Sequence, residues 1–410
     1  MIKASNQLVG LLKVVILVGL FHGLIQYYYC YGQEYNGCNK PLLAVVSRDI
    51  FLLTVISYLL IYCKFTLYIK NIRPLIFSAV IFLAISVVHA SYGFIDVIHY
   101  NIRNILLYLL LFLLIQNIQF SDNQLKIIAK FFNRLSLYVC LIGIFTSLNE
   151  DLLTSGRVFS TLYDPIIAGY IFGLSLLMTI GELIYNKENI FYCILRILIL
   201  IYGIILTGSY GSIATAVFSI LFLIILDLRN INLIKLKNLF IGAMIFLCFI
   251  FTYMAESFLS RTNLIFFNNH GTSISGRLNQ YKLFSEDLIH GELSEILFGK
   301  YVNEYITSDG VYLQLFHNVG IIGILCVIVI ILNIVYCGYL NTHFLSKFGI
   351  NSYTKIITVV VISYLISSLF VIYFTTSIIS MYPANLILFL FCGLIVSAFN
   401  NRFKYLSEPI

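Results

Sequence analysis

The strongest constraint on this chain is a succession of about twelve apolar runs, each of about 17–25 residues and so long enough to cross a bilayer. The chain of 410 residues is 60% hydrophobic and only 10% charged, which excludes a soluble globular protein. We therefore predict an all-α, polytopic membrane protein that forms one integral membrane domain over residues 1–410. The predicted spans are 8–30, 42–63, 74–95, 102–119, 132–149, 165–185, 189–207, 210–227, 238–256, 310–337, 356–379 and 383–399.

The distribution of Lys and Arg predicts the orientation of these spans, because cytoplasmic loops are enriched in both residues. With the N-terminus in the cytoplasm, about 16 basic residues fall on the inner side and about 8 on the outer side. Both termini are then cytoplasmic, and the longest polar interval, residues 257–309, is an extracytoplasmic loop. The net charge of +7 is spread over short loops, so it does not indicate nucleic-acid binding.

Arg277, in the long loop, is the first candidate for a functional residue. Apolar residues at helical spacing predict a short amphipathic helix over 277–289 on the outer membrane surface, with Ser275 as N-cap and Gly291 at its end. A helix N-terminus and a guanidinium together form a good anion site. The alternative is an Arg that extends to the lipid phosphates. The predicted outer basic residues are mostly Arg, the better bidentate ligand of phosphate, which favours a phosphate-bearing ligand on that side.

Other candidates have a functional and a structural interpretation. Arg157 is either a second phosphate ligand or a solvated loop residue. Asp309 either accepts a proton from a sugar hydroxyl or caps the tenth span. His317, within that span, is either a functional intramembrane histidine or a packed one. Asp164, followed by Pro165, is predicted to be an ordinary helix start.

The remaining candidates for substrate binding lie in the same polar loop and are Arg261, Tyr281 and Lys282. Arg196 lies within an apolar span and is expected to extend to the cytoplasmic surface. His89 and Asp96 share a helix face and either line one cavity or satisfy one another. The sequence contains no D-x-D motif, P-loop or metal-ligand spacing. We therefore expect no metal-held nucleotide sugar, no ATP and no cofactor.

Several short motifs follow one another in a particular order over residues 150–330. They are Ser155-Gly156-Arg157, Asp164-Pro165, Leu206-Thr207-Gly208-Ser209-Tyr210-Gly211, Ser275-Gly276-Arg277, Leu297-Phe298-Gly299, Asp309-Gly310-x-Tyr312-Leu313 and Gly320-Ile321-Ile322-Gly323. In this order, and with the late outer loop, the chain resembles the O-antigen and capsular polysaccharide polymerase family, which is related to the O-antigen ligases. It departs from the pattern in having no Trp, with Tyr281 where relatives often carry one, and in Lys300 where a second glycine is common.

The resemblance implies a GT-C-like, metal-independent glycosyltransferase of the bacterial plasma membrane. It implies that a growing glycan moves from a polyprenyl-pyrophosphate carrier to a lipid-linked repeat unit, with a chain-length regulator and a flippase as partners. By position, Arg277 would contact the pyrophosphate. Asp309 stands where ligases place a catalytic His, which favours a polymerase. The alternatives are an O-antigen ligase and a lipid-linked oligosaccharide flippase.

Overall fold

The computed structural model describes residues 2–24, 42–63, 73–91, 106–147, 160–162, 164–185, 187–226, 282, 284–299, 311–347, 352–371 and 382–407. The described residues are mostly helical, as predicted, with two very short strands. The strands are β1 (Ile2–Lys3) and β2 (Ile118–Gln119). The helices are α1 (Asn6–Phe21), α2 (Leu42–Tyr62), α3 (Arg73–Ser91), α4 (Leu107–Ile115), α5 (Asp122–Thr146), α6 (Pro165–Ile184), α7 (Ile190–Leu206), α8 (Tyr210–Leu226), α9 (Leu293–Phe298), α10 (Val311–Lys347), α11 (Tyr353–Val371) and α12 (Ala384–Ser407).

Each predicted span contains a helix except 238–256, which lies outside the described residues. Three helices of the described part are long and apolar enough to cross a membrane: Asp122–Thr146, Pro165–Ile184 and Leu315–Lys347. Several shorter apolar helices accompany them, and large apolar side chains are exposed on the outer faces of many. These features indicate a membrane protein, whereas the count of twelve spans stays a prediction.

Several predicted spans differ in extent from the helices found. Helix α4 ends at Ile115 rather than at 119, because a turn and β2 follow it directly, and residues 102–105 of this predicted span lie outside the described residues. Helix α5 begins at Asp122 rather than at 132, since Ser121 and Gln124 form a reciprocal capping box there. Helix α10 continues to Lys347 rather than ending at 337. Polar residues therefore extend both helices beyond their apolar stretches.

Helix α6 lies at the centre of the bundle, and 94% of its most apolar stretch is buried. It begins as predicted, with the Asp164 carboxylate accepting hydrogen bonds from the backbone N–H groups of Ile166 and Ile167, and with Pro165 at the first helical position. Helices α5, α7, α8 and α11 pack around it. Small residues permit the close approach: a Cβ on Gly169 would lie 2.2 Å from the Ser212 Oγ of α8.

Contacts between distant segments define two ends of this bundle. At the Ile2 end, β1 pairs in parallel with β2, and the Asp122 carboxylate accepts hydrogen bonds from the backbone N–H groups that start α11. At the Asp164 end, the Thr161 hydroxyl donates to the Leu20 carbonyl oxygen at 2.7 Å, which joins the end of α1 to the start of α6. Neighbouring helices thus alternate in direction, as expected of a polytopic chain. The side of the membrane that each end faces stays a prediction.

Arg196 does not extend to a surface, and that prediction was wrong. Its side chain is 4% exposed, and Nη1 lies 3.2 Å from Oε2 of Glu182, which is itself 2% exposed. The Asn133 side-chain amide donates to the same oxygen at 3.1 Å. The Glu182 carboxylate on α6, which also accepts the hydrogen bond from Asn133 on α5, therefore holds the guanidinium inside the bundle, because a buried charge needs a charged partner.

Candidate functional site

The residues predicted from the long loop divide into two groups. Arg157, Arg261, Arg277, Tyr281 and Asp309 lie outside the described residues, so their roles stay predictions. Lys282 and His317 are described, and both lie at the Asp164 end, where segment 284–299 meets the first turns of α10. The candidate site is therefore built from this segment, the start of α10 and the end of α3.

Two glycines bring the backbone of segment 284–299 into contact with α10. Gly299 has φ 95° and Gly320 has φ 68°, conformations that favour glycine. A Cβ on Gly320 would lie 2.3 Å from the Leu297 carbonyl, and a Cβ on Gly299 would lie 2.7 Å from the backbone N of Val319. Two motifs that are far apart in sequence, Leu297-Phe298-Gly299 and the first glycine of Gly320-x-x-Gly323, thus form one backbone-to-backbone contact. Gly320 also interrupts the helical geometry of α10.

His89, at the end of α3, fastens the same contact. Its imidazole is fully buried, and Nε2 lies 2.6 Å from the carbonyl oxygen of Phe298. Because a carbonyl oxygen can only accept, Nε2 carries the hydrogen in this bond. The functional alternative for His89, that it lines a cavity with Asp96, involves a residue outside the described part. The bond to Phe298 favours a structural role for His89.

His317 lies beside a carboxylate that the sequence did not single out. Its Nδ1 is 3.8 Å from Oδ2 of Asp287, with side-chain exposures of 12% and 25%. A neighbouring aromatic contact supports the pair, because the Phe284 ring meets the Phe316 ring edge-on with centroids 4.7 Å apart. The separation is longer than a hydrogen bond, so the attraction is electrostatic and depends on a protonated imidazole. A carboxylate beside an imidazole can orient it and support proton transfer.

Lys282 occupies a more ordinary environment. Its side chain is 75% exposed and lies 3.9 Å from Glu286, one helical turn further on. Such exposed pairs contribute little to stability, so the ammonium group is available to a ligand. The predicted end of this surface helix is confirmed, since residues 284–290 are helical and the Gly291 N–H donates to the Asp287 carbonyl at 2.9 Å.

The motif Leu206–Gly211 forms the turn between α7 and α8. The Thr207 hydroxyl donates to the Ile204 carbonyl at 2.7 Å, and Gly208 adopts φ 57°. Ser209 and Ser212 bond within the same turn, against Gly169 of α6. These contacts explain the motif by packing.

The sequence did not indicate a role for Asp287, nor the bond between His89 and the Phe298 carbonyl. Asp287 follows Glu286 on a short surface helix, where an acidic residue is usually solvated. Its contact with His317 joins residues thirty positions apart on two elements, which spacing alone does not indicate. The one sequence feature that could have indicated this contact is the order of the motifs, in which the polar loop is followed directly by the helix that carries His317.

Within the described ranges, no group of three or more His, Cys, Asp or Glu side chains could hold a metal ion. No protein-family model and no curated protein sequence matches the chain. The resemblance to polysaccharide polymerases thus rests on the sequence motifs.

Proposed function

We propose that this protein is a polysaccharide polymerase of the bacterial plasma membrane, with both termini cytoplasmic. It transfers a growing glycan from a polyprenyl-pyrophosphate carrier onto a lipid-linked repeat unit at the outer face. The order of the sequence motifs is the basis of this proposal. The observation that supports it most is the docking of segment 284–299 onto α10, because two of those motifs meet there through Gly299 and Gly320.

The proposed reaction is the one that the family resemblance implies. The acceptor hydroxyl oxygen forms a bond to the anomeric carbon of the donor sugar, and the bond from that carbon to the pyrophosphate oxygen breaks. The pyrophosphate leaves with the electron pair, and Arg277 stabilises its charge, with Arg157 and Arg261 as further ligands. Asp309 accepts the proton of the acceptor hydroxyl. The lipid pyrophosphate is already an activated leaving group, so the reaction needs neither ATP nor a metal.

The described candidates would contribute to binding. His317, beside Asp287, can bond a glycan hydroxyl near the start of α10. Lys282, largely exposed one turn before Glu286, can contact a phosphate, and Tyr281 precedes it in the sequence. In this scheme segment 284–299 forms one wall of the site, and its contact with Gly320 determines where that wall lies.

The test is a gel profile of surface and lipid-linked glycan from a strain deleted for the gene. We expect single repeat units at the outer face and no ladder of longer chains. A full ladder in the deletion strain contradicts the polymerase. Repeat units trapped in the cytoplasmic leaflet indicate the flippase instead, and the loop chemistry is then wrong.

Complementation tests the proposed residues in the same strain. Arg277→Ala and Asp309→Asn should each insert normally and restore no ladder. Lys282→Ala should reduce the ladder less, because an exposed ammonium contributes less to binding than a residue at the leaving group. Normal polymer from Arg277→Ala removes the central residue of the mechanism, and normal polymer from Asp309→Asn returns that residue to a helix cap.

An O-antigen ligase is the second candidate, and the pair of His317 and Asp287 is the observation that favours it. A ligase transfers the finished glycan to a lipid core, and a neutral histidine beside a carboxylate can serve as its base, because the carboxylate stabilises the imidazolium that forms when the proton is accepted. A deletion strain that accumulates full-length polymer on the carrier lipid would support this function. His317→Gln should then abolish transfer, whereas in the polymerase it should only weaken binding.

A further inference from the structure

A second cluster of polar and aromatic side chains lies at the Asp164 end, away from the loop contacts. The Tyr382 ring, just before α12, meets His22 at the end of α1 edge-on, with centroids 5.0 Å apart. It stacks with Tyr108 of α4 at 6.4 Å, and the Arg48 guanidinium of α2 lies 5.1 Å from its centroid. We refer to His22, Arg48, Asp49, Tyr108 and Tyr382 as the Tyr382 cluster. Residues of three helices thus converge on one tyrosine that lies just before a fourth.

Three polar atoms of the Tyr382 cluster are shielded from solvent and lack a hydrogen-bond partner among the described residues: Arg48 Nη2, Tyr108 Oη and Tyr382 Oη. The Arg48 Nε–H donates to Asp49 Oδ1 at 2.9 Å, and Nη2 lies 2.8 Å from that oxygen without hydrogen-bond geometry. Burial raises the pKa of the Tyr382 hydroxyl far above its usual value, against the opposing effect of Arg48, so the hydroxyl stays protonated. Buried donors are rarely left unpaired, which indicates that a bound molecule supplies the acceptors.

The charges of the cluster distinguish a phosphate from a sugar. Asp49 is in direct contact with Arg48, so the pair is neutral overall and its carboxylate would repel a phosphate. A sugar hydroxyl is neutral and can accept from a guanidinium while it donates to a carboxylate. The Asp49 side chain is 27% exposed, against 11% for Arg48, which leaves an approach from the Asp49 side.

We propose that the Tyr382 cluster is a subsite for a neutral sugar ring of the lipid-linked glycan. Sugar oxygens accept hydrogen bonds from Arg48 Nη2 and Tyr382 Oη, and a sugar hydroxyl donates to the Asp49 carboxylate. The Tyr382 ring presents its hydroxyl edge to the sugar, because Arg48 lies over the ring and Tyr108 stacks with it. The identity of the ligand as a glycan rests on the proposed function.

Tyr382→Phe is the informative variant, because it removes one hydroxyl and keeps the ring contacts. A buried hydroxyl without a partner contributes no hydrogen bond to the free protein, so the variant should have a Tm equal to or above that of the wild type. It should bind sugar about 2- to 10-fold more weakly, since one hydrogen bond is lost. Arg48→Gln should weaken binding at least as much. Tyr58→Phe is the matched control, at an exposed tyrosine of helix α2, which also carries Arg48. It should change neither the Tm nor the affinity for sugar.

Binding is measured by saturation-transfer NMR on the full chain in detergent. The probe is the repeat-unit oligosaccharide released by mild acid from lipid-linked material of the same strain, with inorganic pyrophosphate as the counter-probe. Stronger binding by the wild type than by both variants, with no competition from pyrophosphate, supports the subsite.

Other results overturn the subsite. These are no oligosaccharide binding by the wild type, equal affinity in Tyr382→Phe and Arg48→Gln, or pyrophosphate binding that Arg48→Gln abolishes. A Tm of Tyr382→Phe clearly below the wild-type value also overturns it, because the hydroxyl would then be satisfied within the free protein or by water. The proposed function fails separately, through a normal polymer ladder in the deletion strain.

Discussion

Replacing Gly320 with alanine is expected to detach segment 284–299 from α10. The Gly320 conformation, φ 68° and ψ −172°, is almost restricted to glycine, and alanine there carries a strain of about 1–3 kcal/mol. The new Cβ would also lie 2.3 Å from the Leu297 carbonyl and 2.5 Å from the Phe298 nitrogen, and such overpacking costs about 1–3 kcal/mol. Undocking relieves both costs. The free energy that holds the segment should therefore fall by at least about 2 kcal/mol, which is about 30-fold in the opening equilibrium.

Hydrogen exchange of the segment measures this change directly. The amides of Gly291, Ile296 and Gly299, which donate to backbone carbonyls within the segment, should exchange about 30-fold faster in Gly320→Ala. Gly10→Ala is the control, because a Cβ at Gly10, within α1, meets nothing within 4 Å. Unchanged protection in Gly320→Ala would refute the inference that the glycine contact holds the segment.

The reciprocal glycine provides a second check on the same contact. Gly299→Ala should produce a similar increase in exchange, since its Cβ would lie 2.7 Å from the Val319 nitrogen. Both substitutions break one contact, so the double variant should cost less than the sum of the single variants. Additive costs would mean that the two glycines act independently.

Three other sites should respond to substitution with graded effects. Arg196→Met leaves the Glu182 carboxylate buried without its charged partner and should destabilise the protein by about 3–5 kcal/mol. The double variant with Glu182→Met should recover much of the loss. Thermal unfolding of the wild type, the two single variants and the double variant checks this. Asp164→Ala removes the cap of α6 and should cost about 1 kcal/mol, with a smaller loss in Asp164→Asn, measured by denaturant unfolding. Lys282→Ala should leave stability within about 0.5 kcal/mol, because the pair with Glu286 is exposed, and a larger change in Tm would contradict that description.

Local features of the structure were predictable because neighbouring residues determine them. Asp164 and Pro165 start α6 as expected, and the surface helix ends at Gly291. Side-chain capping and the restricted φ of proline act within one turn of the chain, so a short window of sequence contains the cause. The apolar runs predicted helices for the same reason, since backbone groups in an apolar environment must bond within their own segment.

Contacts between distant segments were not predictable in this way. Arg196 was expected at a surface, but Glu182 on another helix pairs with it inside the bundle, and Asn133 on a third helix donates to the same carboxylate. The contact of Gly299 with α10 requires the turn at Gly299 and the kink at Gly320 to meet when segment 284–299 docks. No periodicity in the sequence indicates this contact. The pair of His317 and Asp287 also depends on that docking.

The sequence by itself determined that the described residues are mostly apolar helices, and it determined several helix ends. Each of these depends on hydropathy or capping over a few residues. Only the tertiary structure decided which side chains meet: His89 with the Phe298 carbonyl, His317 with Asp287, and Arg48 with Tyr382. In an apolar bundle every helix presents similar apolar side chains to its neighbours, so hydrophobicity alone does not select a partner. The choice depends on close packing at glycines and on the need of each buried polar group for a partner of its own.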